Sequence, residues 1–186
     1  MFGPSVYPPQ PDGIWRAAFN GERTYPTSTG EDRYRRGLYV FLRRTAPNPS
    51  MATFDAPNRE LCTMRRIRTN TPLQAFVTLN DPAYVEMAQA LARRLATEGG
   101  TTPEERLRFG LRLCLLHDPP ADKLQTLLSL YHKELATYQA RPDEARKLAQ
   151  DPLHPLPEAT TAWPEQAALT IIANVLLNLD AVLMKG

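Results

Sequence analysis

A chain of 186 residues with 42% hydrophobic and 23% charged side chains is long enough for one real core and too apolar for general disorder. Its net charge of +2 does not call for a polyanionic partner, although the charge is uneven. Residues 1–80 carry 11 basic against 6 acidic side chains and residues 81–186 carry 11 against 14. The longest apolar stretch, Ala167 to Leu179, is interrupted by Thr170, Asn174 and Asn178 and is shorter than the ~20 residues of a membrane span.

Thirteen of the eighteen prolines gather in segments 4–11, 47–57, 119–120 and 152–164, which read as connectors. Residues 1–30 form an extended, Pro-rich arm; Trp15, Phe19 and Tyr25 require it to be ordered, because their apolar surface needs cover. Leu38, Phe41 and Leu42 at helical spacing behind Glu31 and Asp32 predict a short helix within Asp32–Arg44. An irregular, Arg-rich connection follows to residue 70.

Residues 71–186 read as a helical bundle. Thr71-Pro72-Leu73-Gln74 and Thr102-Pro103-Glu104-Glu105 are capping boxes, each with proline at the first helical position. Asp81-Pro82 restarts a helix that ends at Gly99-Gly100. Further helices follow Pro119-Pro120 and Pro142. The last, about Pro164 to Met184, is apolar nearly all round and belongs at the centre of a bundle. Thr170, Asn174 and Asn178 share one of its faces and are expected to bond inward to irregular backbone. The expected fold is all-α: one domain, 1–186, an irregular bundle about a central C-terminal helix.

The most distinctive text is Gly30-Glu31-Asp32-Arg33-Tyr34-Arg35-Arg36-Gly37, Thr53-Phe54-Asp55-Ala56-Pro57-Asn58-Arg59-Glu60 and Cys62-Thr63-Met64-Arg65-Arg66-Ile67-Arg68-Thr69-Asn70-Thr71-Pro72-Leu73-Gln74. With Gly3-Pro4-Ser5-Val6-Tyr7, Leu79-Asn80-Asp81-Pro82 and Ala173-Asn174-Val175-Leu176-Leu177-Asn178 it resembles the planctomycete PSD-type domain, a domain of unknown function. The resemblance implies a C-terminal module of a large exported or periplasmic protein, truncated here at its N-terminus, with upstream domains as partners. Many such proteins carry a cytochrome-c-like segment. No CxxCH occurs here, so haem would reside in a partner domain and no cofactor in this chain. No catalytic residues come with the resemblance.

The candidate contacts for an anion or partner are Arg33, Arg35, Arg36, Arg59, Arg65, Arg66 and Arg68, interleaved with Glu31, Asp32, Asp55 and Glu60. The guanidinium fork suits bidentate carboxylate pairing, so internal ion pairs clamping the irregular segment, against the final helix and its asparagines, are the leading reading. An acidic glycan, a cytochrome-type partner or haem propionates are the alternatives; no nucleic-acid motif accompanies these residues. Glu31 and Asp55 could serve as an acid/base pair on a glycosidic bond. Cys62 and Cys114 read as unpaired, buried thiols, and His117, His132 and His154, lacking metal-ligand spacing, as residues of helix ends and loops. Two functions follow: a non-enzymatic helical interaction module, or a fragment of a hydrolytic, glycan-processing enzyme. A large exposed hydrophobic face is expected in either case.

Overall fold

The computed structural model describes residues 3–18, 20–58, 60–65, 69–151, 155–156 and 162–183. Among them are nine α-helices, two 3-10 turns and no strand, so the fold is all-α. The chain divides into two compact units, Met1–Ala83 and Tyr84–Gly186.

In the first unit the arm is pinned rather than free. Val6 donates to Tyr39 O and accepts from Phe41 N, both at 2.9 Å, forming a single parallel bridge with Val40. Tyr7 and Ser28 tie its other side, Tyr7 N to Ser28 Oγ at 2.9 Å and Ser28 N to Tyr7 O at 2.8 Å. Tyr25 Oη donates to Pro8 O at 2.7 Å. These bonds gather Tyr7, Trp15, Tyr25 and Phe41 into one aromatic cluster, with Tyr7 stacked on Phe41 at 5.0 Å and Trp15 edge-on to Tyr25 at 5.2 Å. Trp15, on the short helix α1 (Ile14–Ala18), is buried within it; Phe19 lies outside the described residues. Such edge and offset contacts contribute about 0.5–1.5 kcal/mol per pair beyond burial.

The helix expected over Asp32–Arg44 is not formed. Two 3-10 turns, Gly30–Tyr34 and Gly37–Tyr39, stand there instead. Arg35 and Arg36 between them are extended, with ψ 150° and 147°. Phe41, counted as part of a helical stripe, donates its N–H to the bridge with Val6. A pairing with a distant segment thus overrides local periodicity. Two further helices complete the unit, α2 (Pro49–Thr53) and α3 (Pro72–Asn80), packed on each other. Asn48 caps α2 by accepting Met51 N, and α3 opens with the expected capping box of Thr71 and Gln74.

The second unit contains α4 (Pro82–Glu98), α5 (Pro103–Leu115), α6 (Ala121–Gln139), α7 (Pro142–Ala149), α8 (Trp163–Leu177) and α9 (Asp180–Leu183). Helix α8 is its centre: it packs against α5, α6, α7 and α9, and buries Leu169, Ile172, Ala173 and Leu176 completely. Around them close Ala88, Ala92 and Leu95 of α4, Leu107 and Leu111 of α5, and Leu124, Leu127 and Tyr131 of α6. Each fully buried leucine or isoleucine contributes roughly 1.5–3 kcal/mol. Gly110 sets the closeness of this packing, since a Cβ there would stand 2.8 Å from Leu176 Cδ1 and 2.9 Å from Leu95 Cδ2.

The last helix is interrupted rather than running from Pro164 to Met184. Asn178 ends α8, its N–H returning to Asn174 O and Val175 O, as suits a residue that favours helix ends. Thr170 does not bond to irregular backbone either: its hydroxyl donates to Gln166 O of its own helix at 2.8 Å. Polar anchors on α4 hold residues 148–151, with Gln89 Nε2 donating to Leu148 O at 2.8 Å and Arg93 Nη2 to Asp151 Oδ2 at 2.9 Å. Helix α5 stops at Leu116, a left-handed residue with φ 61°, where glycine is the usual choice.

Candidate functional site

The motif text of the first unit converges on a polar network at the meeting of α2 and α3. Gln74, 3% exposed, is its hub. Its Nε2 donates to Thr53 O and to Thr69 Oγ1, each at 2.9 Å, and its Oε1 accepts Thr71 N at 3.0 Å. The Thr69 hydroxyl passes the chain on to Asp55 Oδ2 at 2.8 Å, which also accepts Thr69 N at 2.8 Å. Alongside, Ser50 Oγ donates to Asp81 Oδ2 at 2.8 Å, while Oδ1 of the buried Asp81 accepts Ala83 N. Two separate motif strings, around Asp55 and Thr71, are thereby tied by side chains, and a third is tied through Asp81 to Ser50 of α2. Each such bond contributes a net ~1 kcal/mol, and an orphaned partner costs ~1–3 kcal/mol.

The network gives α3 an inverted amphipathicity. Its buried side chains are Gln74 and Thr78, one turn apart, while Leu73 and Phe76 on the other side are 60% and 64% exposed and Leu79 is 41% exposed. At ~100° per residue, Phe76 points opposite the middle of the Gln74–Thr78 pair. Exposed apolar side chains therefore stand on α3, with others at Leu38, Leu61 and Met64 in the same unit and at Met87, Leu113 and Leu116 in the second. Helix α8, by contrast, is covered by its own bundle.

The candidate arginines fall into three groups. Arg33 and Arg35 face inward: Arg33 Nη1 donates to Ser28 O and Arg35 Nη1 to Pro4 O, both at 3.4 Å. The Arg35 guanidinium lies 4.0 Å over the Tyr39 ring, close enough to Gly3 that a Cβ there would meet it at 2.9 Å, and pairs with Asp32 at 3.6 Å. Arg36 and Arg65 are exposed. Arg59, Arg66 and Arg68, and with them most of the expected clamp, lie outside the described residues.

Of the acid/base candidates, Glu31 is exposed in a 3-10 turn and Asp55 holds Thr69. Cys62 is exposed rather than buried and Cys114 half-buried, both free; burial pushes the Cys114 thiol up. His132 sits within α6 against Tyr131 and His117 just beyond α5, while His154 lies outside the described residues. Among the described residues no group of three or more His, Cys, Asp or Glu could hold a metal ion, and no helix is long and apolar enough to cross a membrane.

Sequence reading missed a cleft of about 480 Å³ beside the aromatic cluster, lined among others by Gln10, Asp12, Trp15, Arg16, Arg23 and Tyr25. Burial, followed by the neighbouring Tyr7, pushes the Tyr25 phenol up to about 12. Arg16 and Arg23 stand apart from the dense arginine text, so only folding brings them together.

These features define an all-α protein whose distinctive sequence builds a polar network and an arginine-pinned arm. The chain belongs to the PSD1 family, described as protein of unknown function (DUF1553), which matches residues 1–131. No curated protein and no solved structure matches it.

Proposed function

We propose that the chain is a non-enzymatic helical interaction or structural module of a larger protein. The observation that carries this reading is that its motif residues use their polar atoms within the chain: Asp55 on Thr69 and Gln74 on Thr53 and Thr69, motif on motif, and Asp81 on Ser50 of α2. Arg35, held by Pro4, Asp32 and Tyr39, supports it further. Groups so committed position backbone. A catalytic pair of carboxylates would instead converge on a common substrate position.

In the same proposal the module belongs to an exported protein and works beside a cytochrome-c-type domain that carries the haem, as the family resemblance suggests. Exposed Arg36 and Arg65, and the Arg16–Arg23 cleft, are the places for an anionic partner group or acidic glycan.

The test is urea unfolding of Arg35→Ala and Asp55→Ala beside an assay of cleavage of polygalacturonate, an acidic glycan. Lowered midpoints with no cleavage support a structural module. Unchanged midpoints together with cleavage that Glu31→Gln and Asp55→Asn abolish would replace it with the glycan-processing reading.

A further inference from the structure

We propose that the cleft beside Trp15 and Tyr25 binds one uronic acid residue of an acidic glycan, with Arg16 and Arg23 meeting its carboxylate. This rests on the interaction-module reading and names the ligand chemistry of one of its sites.

The fold builds the walls of the cleft from its own bonds. One wall runs from Gln10 into α1, and the other over residues 23–27. Two ties hold them together: Tyr25 Oη donates to Pro8 O at 2.7 Å, and Tyr7 exchanges a pair of bonds with Ser28. Helix α1 is fixed in turn, by Ala17 N on Gly13 O and Gly21 N on Arg16 O, each at 2.8 Å. The cleft is thus preformed, and its volume of about 480 Å³ falls within the ~300–1,000 Å³ of small-ligand sites.

The lining selects the ligand. Gln10, Asp12, Thr24 and Thr27 offer amide, carboxylate and hydroxyl groups, a mixture of donors and acceptors that suits a ligand carrying several hydroxyls. Tyr25 supplies an aromatic ring for the C–H face of a sugar, while its own hydroxyl is engaged by Pro8. Among the described lining residues the charged ones are Arg16, Arg23 and Asp12, a net +1. The Arg43 guanidinium adds to this positive field, 5.6 Å from the centroid of the Trp15 ring. That balance suits a single negative charge, since a dianion such as phosphate would meet Asp12 with a second charge unmatched. A guanidinium matches a carboxylate in its fork geometry. Because burial pushes the Tyr25 phenol up to about 12, it stays neutral beside a bound carboxylate at ordinary pH. An acidic peptide carries carboxylates too, but on flexible chains without ring hydroxyls for Thr24 and Thr27.

The experiment titrates the full chain, carrying Trp163→Phe, with digalacturonate, and follows both the heat of binding and the fluorescence of Trp15. The controls are galactobiose, which lacks the carboxylates, acetate, inorganic phosphate and a tetraglutamate peptide. Digalacturonate is expected to bind saturably and every control about tenfold more weakly or not at all. Arg16→Gln with Arg23→Gln should weaken digalacturonate about tenfold, and Arg16→Gln alone, at an exposed position that leaves the urea midpoint in place, about threefold. Arg36→Gln with Arg65→Gln should leave binding as it is. No heat and no fluorescence change, a control that binds as tightly as digalacturonate, an affinity untouched by Arg16→Gln, or equal weakening by the Arg36 and Arg65 substitutions would each overturn the proposal. Absent binding with intact destabilisation by Arg35→Ala and Asp55→Ala defeats only this inference, whereas loss of that destabilisation defeats the module reading beneath it.

Discussion

Replacing Gln74 by alanine should destabilise the first unit more than replacing Phe76 by alanine, the reverse of what hydrophobicity alone would rank. Gln74→Ala removes the bonds to Thr53 O, Thr69 Oγ1 and Thr71 N and half of a capping box. At a net ~1 kcal/mol per bond, with a further penalty for the orphaned groups, the loss is about 3 kcal/mol. Phe76, 64% exposed, has little buried area to lose, and its truncation should stay within ~0.5 kcal/mol. Gln74→Leu separates burial from bonding: it keeps an apolar body of similar size but leaves the partners unmet, and should still cost about 2 kcal/mol. The assay is urea unfolding followed by fluorescence in a Trp163→Phe background, so that Trp15 reports on the first unit alone. A cost for Phe76→Ala equal to or above that for Gln74→Ala would refute the inverted orientation of α3 and the reasoning built on it.

Arg93→Ala should cost about 3 kcal/mol, because it leaves Asp151, 2% exposed, without its guanidinium, whereas Arg94→Ala next to it breaks only an exposed pair with Glu98 and should leave the midpoint essentially where it is; denaturant midpoints decide both. Tyr25 should ionise near 12 in tyrosinate absorbance. Since its folded value lies above the ordinary ~10, the stabilisation is complete below pH ~10 and drains away as pH rises toward 12, a loss that Tyr25→Phe should abolish. Leu116→Gly should stabilise the second unit by about 0.5 kcal/mol. It relieves ~1–2 kcal/mol of left-handed strain, partly offset by a looser unfolded chain, and the side chain removed is 83% exposed; a thermal midpoint lowered by the change would count against this.

What the sequence made legible was what local chemistry encodes. The boxes at Thr71–Gln74 and Thr102–Glu105 span three residues, and the structure forms both. The all-round apolar pattern of α8 placed it at the bundle centre because no other position satisfies it. Long-range partners leave no such mark. Gln74 was readable as a cap, but its bonds to Thr53 and Thr69 have no sequence period. Arg33 and Arg35 were read toward carboxylates, yet both also donate to main-chain carbonyls, which every residue offers and none advertises. The missing helix at Asp32–Arg44 has the same origin, since the bridge of Val6 with Val40 spans more than thirty residues.

The central place of α8 also imposes an order on synthesis. Helices α4 to α7 emerge from the ribosome with their apolar stripes prepared, but the side chains that join them, Leu169 to Leu176, follow roughly ninety residues after α4 begins. At 5–20 residues per second the unit waits on the order of 5–20 s with its core open. Through that interval Leu95, Leu107, Leu111 and Leu124 are available to chaperones or to neighbouring chains. Translation that ends between α5 and α8 would release an adhesive set of helices in place of a smaller folded unit.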